Sequence, residues 1–309
     1  MKSEKQISII IPHYNSAEAL GRLIDSIPER EEIEILVVDD NSTQDTQRLK
    51  EVTDTRPGQI TLLYNELGKN SAGTCRNIGL SQARGKWLLF ADADDYFVSD
   101  LWNAVSKYLD SEYDIVFFPP TSLDLRTGEV SDRHLTLARL ALDYADRPDK
   151  RNEVNLRYLW AGPYSKLIRT SLVKQNRITF DETRVANDVM FSVKAACAAG
   201  KITVDKQVIY CITKNTGTLV MSKARKDIRT RVKVNVKKYC YLRRHAGREA
   251  FRILDFRISY YMCIIRRNAG TTRDYIWTWL YCAVHGVRPF LSRKWTVSYL
   301  MRRLAKKAD

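Results

Sequence analysis

The sequence predicts an α/β fold, a mainly parallel sheet flanked by helices, followed by a basic α-helical C-terminal extension. Three observations carry that prediction. Apolar runs of strand length recur at Ile7 to Ile11, Ile33 to Val38, Ile60 to Tyr64, Trp87 to Ala91 and Ile115 to Phe118. The segments between them have helical spacing, the signature of strand–helix–strand units. All of the excess positive charge falls after residue 220. A chain of 309 residues exceeds a typical single domain, and its 44% hydrophobic content is enough for one sizeable core plus an appendage.

Taken in order, Ile7 to Ile11 is apolar apart from Ser8 and closes in Pro12-His13-Tyr14-Asn15. Ala17, Leu20, Leu23, Ile24 and Ile27 then share a helical face behind a Ser16 cap, with Glu18 in the first turn. Ile33 to Val38, broken only by Glu34, closes in Asp39-Asp40-Asn41-Ser42, and a polar stretch follows from Ser42 to Val52. Near-continuous apolar runs of this kind read as parallel strands buried on both faces. After the third run comes a helix near Ala72 to Ala83, and then Trp87 to Ala91, which stops abruptly in Asp92-Ala93-Asp94-Asp95. Ligands of open α/β sheets sit beyond the carboxyl ends of the strands. Asn15, Asp40 and Asp94 all fall there.

Three carboxylates within four residues repel one another and raise one another's pKa unless a counter-charge is near. A divalent cation supplies it, and one or two carboxylates completed by phosphate and water suit Mg²⁺ or Mn²⁺. Asp94 and Asp95 are the candidate ligands. Taken alone, Asp-Ala-Asp-Asp also reads as a solvated acidic turn.

The ordered set of motifs resembles family 2 glycosyltransferases with the GT-A fold, of the bacterial surface-polysaccharide type. The matching pieces are Ile9-Ile10-Ile11-Pro12-His13-Tyr14-Asn15, Val37-Val38-Asp39-Asp40-Asn41-Ser42, Ala72-Gly73-Thr74-Cys75-Arg76-Asn77-Ile78-Gly79, Asp92-Ala93-Asp94-Asp95 and Asn187-Asp188-Val189-Met190-Phe191, spanning residues 6 to about 215. The resemblance implies a donor site, Asn15 among its residues, in which Pro12, Tyr14 and Asp40 hold the base of a nucleotide sugar, Asp40 accepting a hydrogen bond from it and uridine being the base it favours. Asp92 would face the ribose, Asp94 the metal, and Arg76 the diphosphate, which also suits guanidinium chemistry. Asp188 would be the base that deprotonates an acceptor hydroxyl in an inverting displacement. The usual residue before that aspartate is glutamate, and this chain has Asn187. Without the resemblance Asp188 also reads as a helix N-terminal carboxylate, Arg76 as a surface arginine and Asp39 as a turn cap.

Tyr158 to Leu167 is aromatic and broken by Gly162-Pro163. Trp160 and Lys166 are its candidate acceptor residues, with core packing the plain alternative for the tryptophan. Thr121 to Asn155 is polar and weakly periodic, which predicts a loop or short helices over the acceptor cleft.

Residues 221–309 carry 23 Lys+Arg against 5 Asp+Glu, a net of +18, whereas residues 1–220 carry 28 against 31. The chain therefore divides into a catalytic domain, 1–220, and a basic region, 221–309, whose charges are interleaved with aromatics from Tyr239 to Tyr299. Several basic helices with interfacial aromatics suit an anionic membrane surface. The longest apolar run, Ile276 to Val284, is about half the ~20 residues that span a bilayer. The expected setting is cytoplasmic, peripheral on the inner face of the cell membrane, with a glycan or polyprenyl-diphosphate-linked acceptor. A solvated helical subdomain is the alternative.

Two rival functions are weaker. A non-catalytic nucleic-acid-binding protein explains the basic region but not the carboxylates gathered at the strand ends, which repel a polyanion, so no nucleic-acid partner is expected. A nucleotidyltransferase predicts a glycine-rich, lysine-bearing loop after the first strand, and no glycine occurs before Gly21. The six cysteines lack Cys-x-x-Cys spacing and read as reduced thiols. Four isolated histidines make no metal pattern, and His13 reads as a local hydrogen-bonding residue. Met1 to Gln6 is polar and the first apolar run short, unlike a secretory signal.

Overall fold

The computed structural model describes residues 4–98, 100–214 and 224–288. Two compact units divide the chain, Met1–Gly217 and Thr218–Asp309. The expected boundary at 220 falls among residues outside those described, as do Phe290, Trp295 and Tyr299.

In the first unit β1 (Ile7–His13), α1 (Ala17–Asp25), β2 (Ile33–Asp39), α2 (Thr46–Thr53), β3 (Ile60–Tyr64), α3 (Ala72–Gln82) and β4 (Trp87–Phe90) follow one another as the sequence predicts. Beyond them lie β5 (Tyr96–Phe97), α4 (Leu101–Val105), β6 (Ile115–Phe117), β7 (Thr121–Asp124), α5 (Leu135–Asp146), α6 (Lys150–Leu159), β8 (Lys166–Arg169), α7 (Thr170–Gln175), α8 (Val189–Ala198), β9 (Ile202–Val204) and β10 (Tyr210–Lys214). Seven strands form the main sheet in the order β3-β2-β1-β4-β8-β6-β9, and β5-β10-β7 form a smaller one. The main sheet is parallel except for β8, which runs against both β4 and β6.

The apolar runs are continuous because both faces of the strands are covered. Ile9 and Ile11 pack with Leu20, Leu23 and Val37 on one side. Ile10 packs with Leu36, Phe90 and Phe191 on the other. The two polar interruptions answer each other: Ser8 Oγ donates to Glu34 Oε1 at 2.6 Å, and the Arg84 and Gly85 amides converge on the same carboxylate. Burial alone pushes the Glu34 carboxyl up, but these hydrogen bonds and the Arg84 guanidinium outweigh it and hold the group below its ordinary range.

The stretch Thr121 to Asn155 departs from the expected loop or short helices. It holds strand β7 and the 12-residue α5, and α6 begins within it and runs on to Leu159. Leu137, Leu140 and Tyr144 of α5 pack against the core while charged neighbours face solvent, which blurs the period in the sequence.

The second unit is helical: α9 (Arg225–His245), α10 (Arg248–Leu254), α11 (Ile258–Arg267) and α12 (Thr272–Val284). The long α9 packs against each of the other three, burying Ile228, Val232, Tyr239 and Leu242. Cations lie over aromatic rings, Arg229 on Trp277 at 4.9 Å and Arg288 on Phe251 at 5.3 Å. Asp274 completes a capping box with Thr271 and takes Arg225 at 2.8 Å and Arg229 at 3.6 Å. Hydrogen bonds from Thr271, then from Arg225, lower its carboxyl to about 2. Stability from this group is therefore present above the ordinary carboxylate value and lost as pH falls toward about 2. In Asp274→Ala, α12 loses its cap, and the expected cost is about 1–2 kcal/mol, read as a lower melting temperature at pH 7 that converges with wild type in acid. Among the described residues no helix is long and apolar enough to cross a membrane.

Candidate active site

β1 is flanked in parallel by β2 and β4, with His13 level with Asp39 and Ile10 level with Phe90. Their carboxyl ends therefore open on one edge. Tyr14 is exposed there, at 54% of its full area, with its ring free for a flat partner. Asn15, in the left-handed region at φ 46°, turns its Oδ1 inward to accept the Thr43 and Gln44 amides at 2.8 and 3.0 Å. Its side chain thus clips the first loop to the second. Asp39 behaves as a turn residue: it takes His13 Nδ1 at 2.8 Å, the Ser42 amide and the Ser42 hydroxyl. Asp40 points the other way and accepts from Asn65 Nδ2 at 2.6 Å. Asn65 follows β3 and escaped the sequence reading, although the same strand-end logic applies to it.

The acidic turn after β4 splits into layers. Asp92 and Asp94 are partly exposed, and Asp95 is buried. Asp95 Oδ1 accepts the Thr213 amide at 2.7 Å and Oδ2 the Tyr210 hydroxyl at 2.8 Å. The Tyr210 oxygen also accepts the Asp92 amide at 2.9 Å, while the Thr213 hydroxyl donates to the Asp94 carbonyl at 2.8 Å. β10 is thus the brace that shapes the turn, and nothing in the sequence marked it. Burial, then the Asp92 charge, raises the Asp94 carboxyl; burial, Asp92 and Asp94 raise Asp95 well up. Tyr210→Phe orphans the Asp92 amide and half of Asp95. A cost of ~1–3 kcal/mol is expected in urea unfolding.

Arg76 lies one turn inside α3 and is buried, not a surface arginine. Its Nη2 donates to Asp92 at 2.5 Å and its Nη1 to Asn187 Oδ1 at 2.9 Å. Gly73 permits this approach, since a Cβ there would stand 2.2 Å from the Asp181 carbonyl and 2.9 Å from Asn187 Cβ. The guanidinium that the resemblance aims at a diphosphate is turned to Asp92 and Asn187 instead. Asp188 occupies the N-cap of α8, and its side chain makes no capping bond. Burial raises its carboxyl, Arg76 opposes that, and Asp92 adds to it.

Trp160 is corrected by the structure: only 1% exposed, it packs in the core with Phe117 at 5.4 Å and offers no face to a sugar. Lys166 is likewise buried, donating to the Trp160 carbonyl at 3.2 Å and to Ser192 Oγ at 3.4 Å. The aromatic segment reaches the site through Tyr164, which stacks on Tyr210 at 5.3 Å. Burial, then Asp92 and Asp188, pushes its phenol well above the ordinary range.

The family model for glycosyl transferase family 2 matches residues 8–169, which run from β1 through the acidic turn to β8. The chain belongs to glycosyl transferase family 2. Family 2 membership favours glycosyl transfer over the nucleotidyltransferase reading. It is 29% identical over 221 residues to the poly(ribitol-phosphate) beta-N-acetylglucosaminyltransferase TarS of Staphylococcus aureus, covering 69% of this chain and 36% of that protein. Over 97 residues, 30% of this chain and 37% of the relative, it is 36% identical to the UDP-Glc:alpha-D-GlcNAc-diphosphoundecaprenol beta-1,3-glucosyltransferase WfgD of Escherichia coli. The chain thus spans about a third of the length of these curated relatives. The crystal structure of S. aureus TarS 1–349 with UDP-GlcNAc superposes with a TM-score of 0.64 at 25% identity, over 79% of this chain and 68% of that one. Its fold, the GT-A arrangement, is the one the strand order and flanking helices display here.

In this family 2 chain the acidic turn fits a hard divalent cation. Burial and the Asp92 charge hold the Asp94 carboxyl toward the protonated form, which a cation would relieve; the expectation of Asp95 as a second ligand is corrected, since Tyr210 and Thr213 take both its oxygens. Among the described residues no three His, Cys, Asp or Glu side chains come together as a metal cage.

Proposed function

We propose that this chain is an inverting, metal-dependent glycosyltransferase that moves a sugar from a nucleoside-diphosphate sugar, a UDP-sugar first, to a hydroxyl of a glycan or polyprenyl-diphosphate-linked glycan in bacterial polysaccharide synthesis. The observation that carries the reading is the Arg76 bridge, which ties Asp92 in the acidic turn after β4 to Asn187 beside Asp188, next to the end of β2 that carries Asp40. The names of TarS and WfgD support the donor and acceptor classes.

Tyr14, Pro12 and Asp40 hold the base, Asp40 being oriented by Asn65. Arg76 fixes Asp92 toward the ribose. Asp94 holds the cation, which when bound neutralises charge on the departing diphosphate. Asp95 has both oxygens engaged by β10, so its part is to set the turn and not to ligate. Asp188 takes the proton of the acceptor hydroxyl as its oxygen attacks the anomeric carbon. A carboxyl raised by burial suits that step, since a stronger base removes the proton more readily. One displacement from one face inverts the anomeric centre. The basic C-terminal unit binds an anionic membrane surface at the cytoplasmic face and brings the site to lipid-linked acceptor.

The test is product analysis. UDP-GlcNAc and UDP-glucose, with Mn²⁺ and a synthetic polyprenyl-diphosphate GlcNAc, are expected to give a β-linked product from one donor by proton NMR. An α-linked product contradicts inversion, and no product with any UDP-sugar contradicts the donor class.

A further inference from the structure

α12 is built inside out. Asp274, Thr278 and Cys282, four residues apart, are its buried side. On the opposite side Ile276, Trp279, Leu280 and Val284 are exposed at 57, 44, 51 and 83%, with Ala283 among them. Positions 276, 279, 280, 283 and 284 follow helical spacing, so these five make one apolar stripe. A helix on a water-facing surface normally shows the reverse, and a contiguous exposed stripe marks an interaction surface.

Charge selects the occupant. The stripe begins beside exposed Arg273, the preceding helix ends in exposed Arg266 and Arg267, and no acid lies on it. The region from 221 carries a net +18, which a second copy of the same region repels and anionic lipid attracts. Nucleic acid satisfies the charge but gives Ile276, Leu280 and Val284 nothing to bury against. At 13 residues α12 is about 20 Å long, too short to cross a bilayer and suited to lying in its surface, with a tryptophan at headgroup depth.

We propose that the Ile276–Trp279–Leu280–Val284 face of α12 inserts into an anionic bilayer surface and anchors the C-terminal unit there. This rests on the membrane reading above and assigns it to one face. The test uses the full chain with phosphatidylglycerol and phosphatidylcholine vesicles. Wild type is expected to cosediment with the former, with a blue shift in tryptophan emission that is lost in Trp279→Phe. Leu280→Ser/Val284→Ser is expected to melt like wild type and to bind the anionic vesicles about tenfold more weakly. If wild type binds anionic vesicles and the double variant binds them equally, the assignment to α12 falls while membrane binding stands. Wild type that binds neither vesicle overturns both. Vesicle binding unchanged in the variant, with its sedimenting mass halved relative to wild type, overturns the lipid occupant in favour of a second copy.

Discussion

Asp188→Asn is expected to lose sugar transfer by about 10²- to 10⁴-fold while binding donor nucleotide as wild type does. The substitution keeps the shape and removes the base. Because the side chain makes no capping bond at α8, the helix loses nothing by the change, and the melting temperature should hold or rise as a buried charge disappears. The wild-type pH–rate profile carries the sign of the same argument. Burial raises the Asp188 carboxyl above the ordinary 3.8, so activity should fall on the acid side along a limb displaced upward from a free carboxylate. That limb is read from kcat in saturating donor. An Asn variant with near wild-type turnover removes Asp188 from the chemistry and leaves it a helix-terminal residue.

Arg76→Ala is expected to damage both folding and catalysis. A buried guanidinium bridges Asp92 and Asn187, and its loss leaves Asp92 uncompensated near Asp94 and Asp188. Breaking a fully buried pair costs ~3–5 kcal/mol; with the Asp92 side chain 36% exposed, about 2–3 kcal/mol is expected. Arg76 also holds the Asp188 carboxyl down against burial. Its removal therefore moves the acid limb of the pH–rate profile to higher pH. Arg76→Lys, keeping the charge but not the fork, should restore part of the stability and part of the limb's position, and it serves if the alanine variant does not fold. An unmoved limb in Arg76→Lys and Arg76→Ala alike means that the guanidinium does not reach the base.

The sequence exposed those features whose physics is local. β1, β2 and β4 were readable because strands covered on both faces need uninterrupted apolar side chains, and Asp40, Asp92 and Asp94 were readable because strand ends are where charge stops being a penalty. Asp188 was found only through its motif. Tyr210 and Thr213 were hidden for a different reason: they act on Asp92, Asp94 and Asp95 from a strand more than a hundred residues later, which meets the turn in a small sheet between β5 and β7. Trp160 shows the opposite failure, since an aromatic beside Gly162-Pro163 has the composition of a sugar platform but lies under the sheet against Phe117. Its neighbour Tyr164, identical in chemical promise, is the ring that faces the carboxylates. No local pattern separates the two, because the difference is which side of the chain faces the core.

The carboxylates beyond β2 and β4, beside Tyr14 and Asn15 beyond β1, form a metal-dependent nucleotide-sugar site in the reading proposed above. Calorimetric titration of UDP, GDP and dTDP, with and without Mn²⁺, into wild type and Asp94→Ala tests it most directly. UDP is expected to bind wild type tightly only with Mn²⁺, and Asp94→Ala to remove the metal dependence together with most of the affinity. Equal binding with and without metal, or binding undiminished in Asp94→Ala, contradicts the cation's place at Asp94; binding of none of the three nucleotides contradicts the donor site itself.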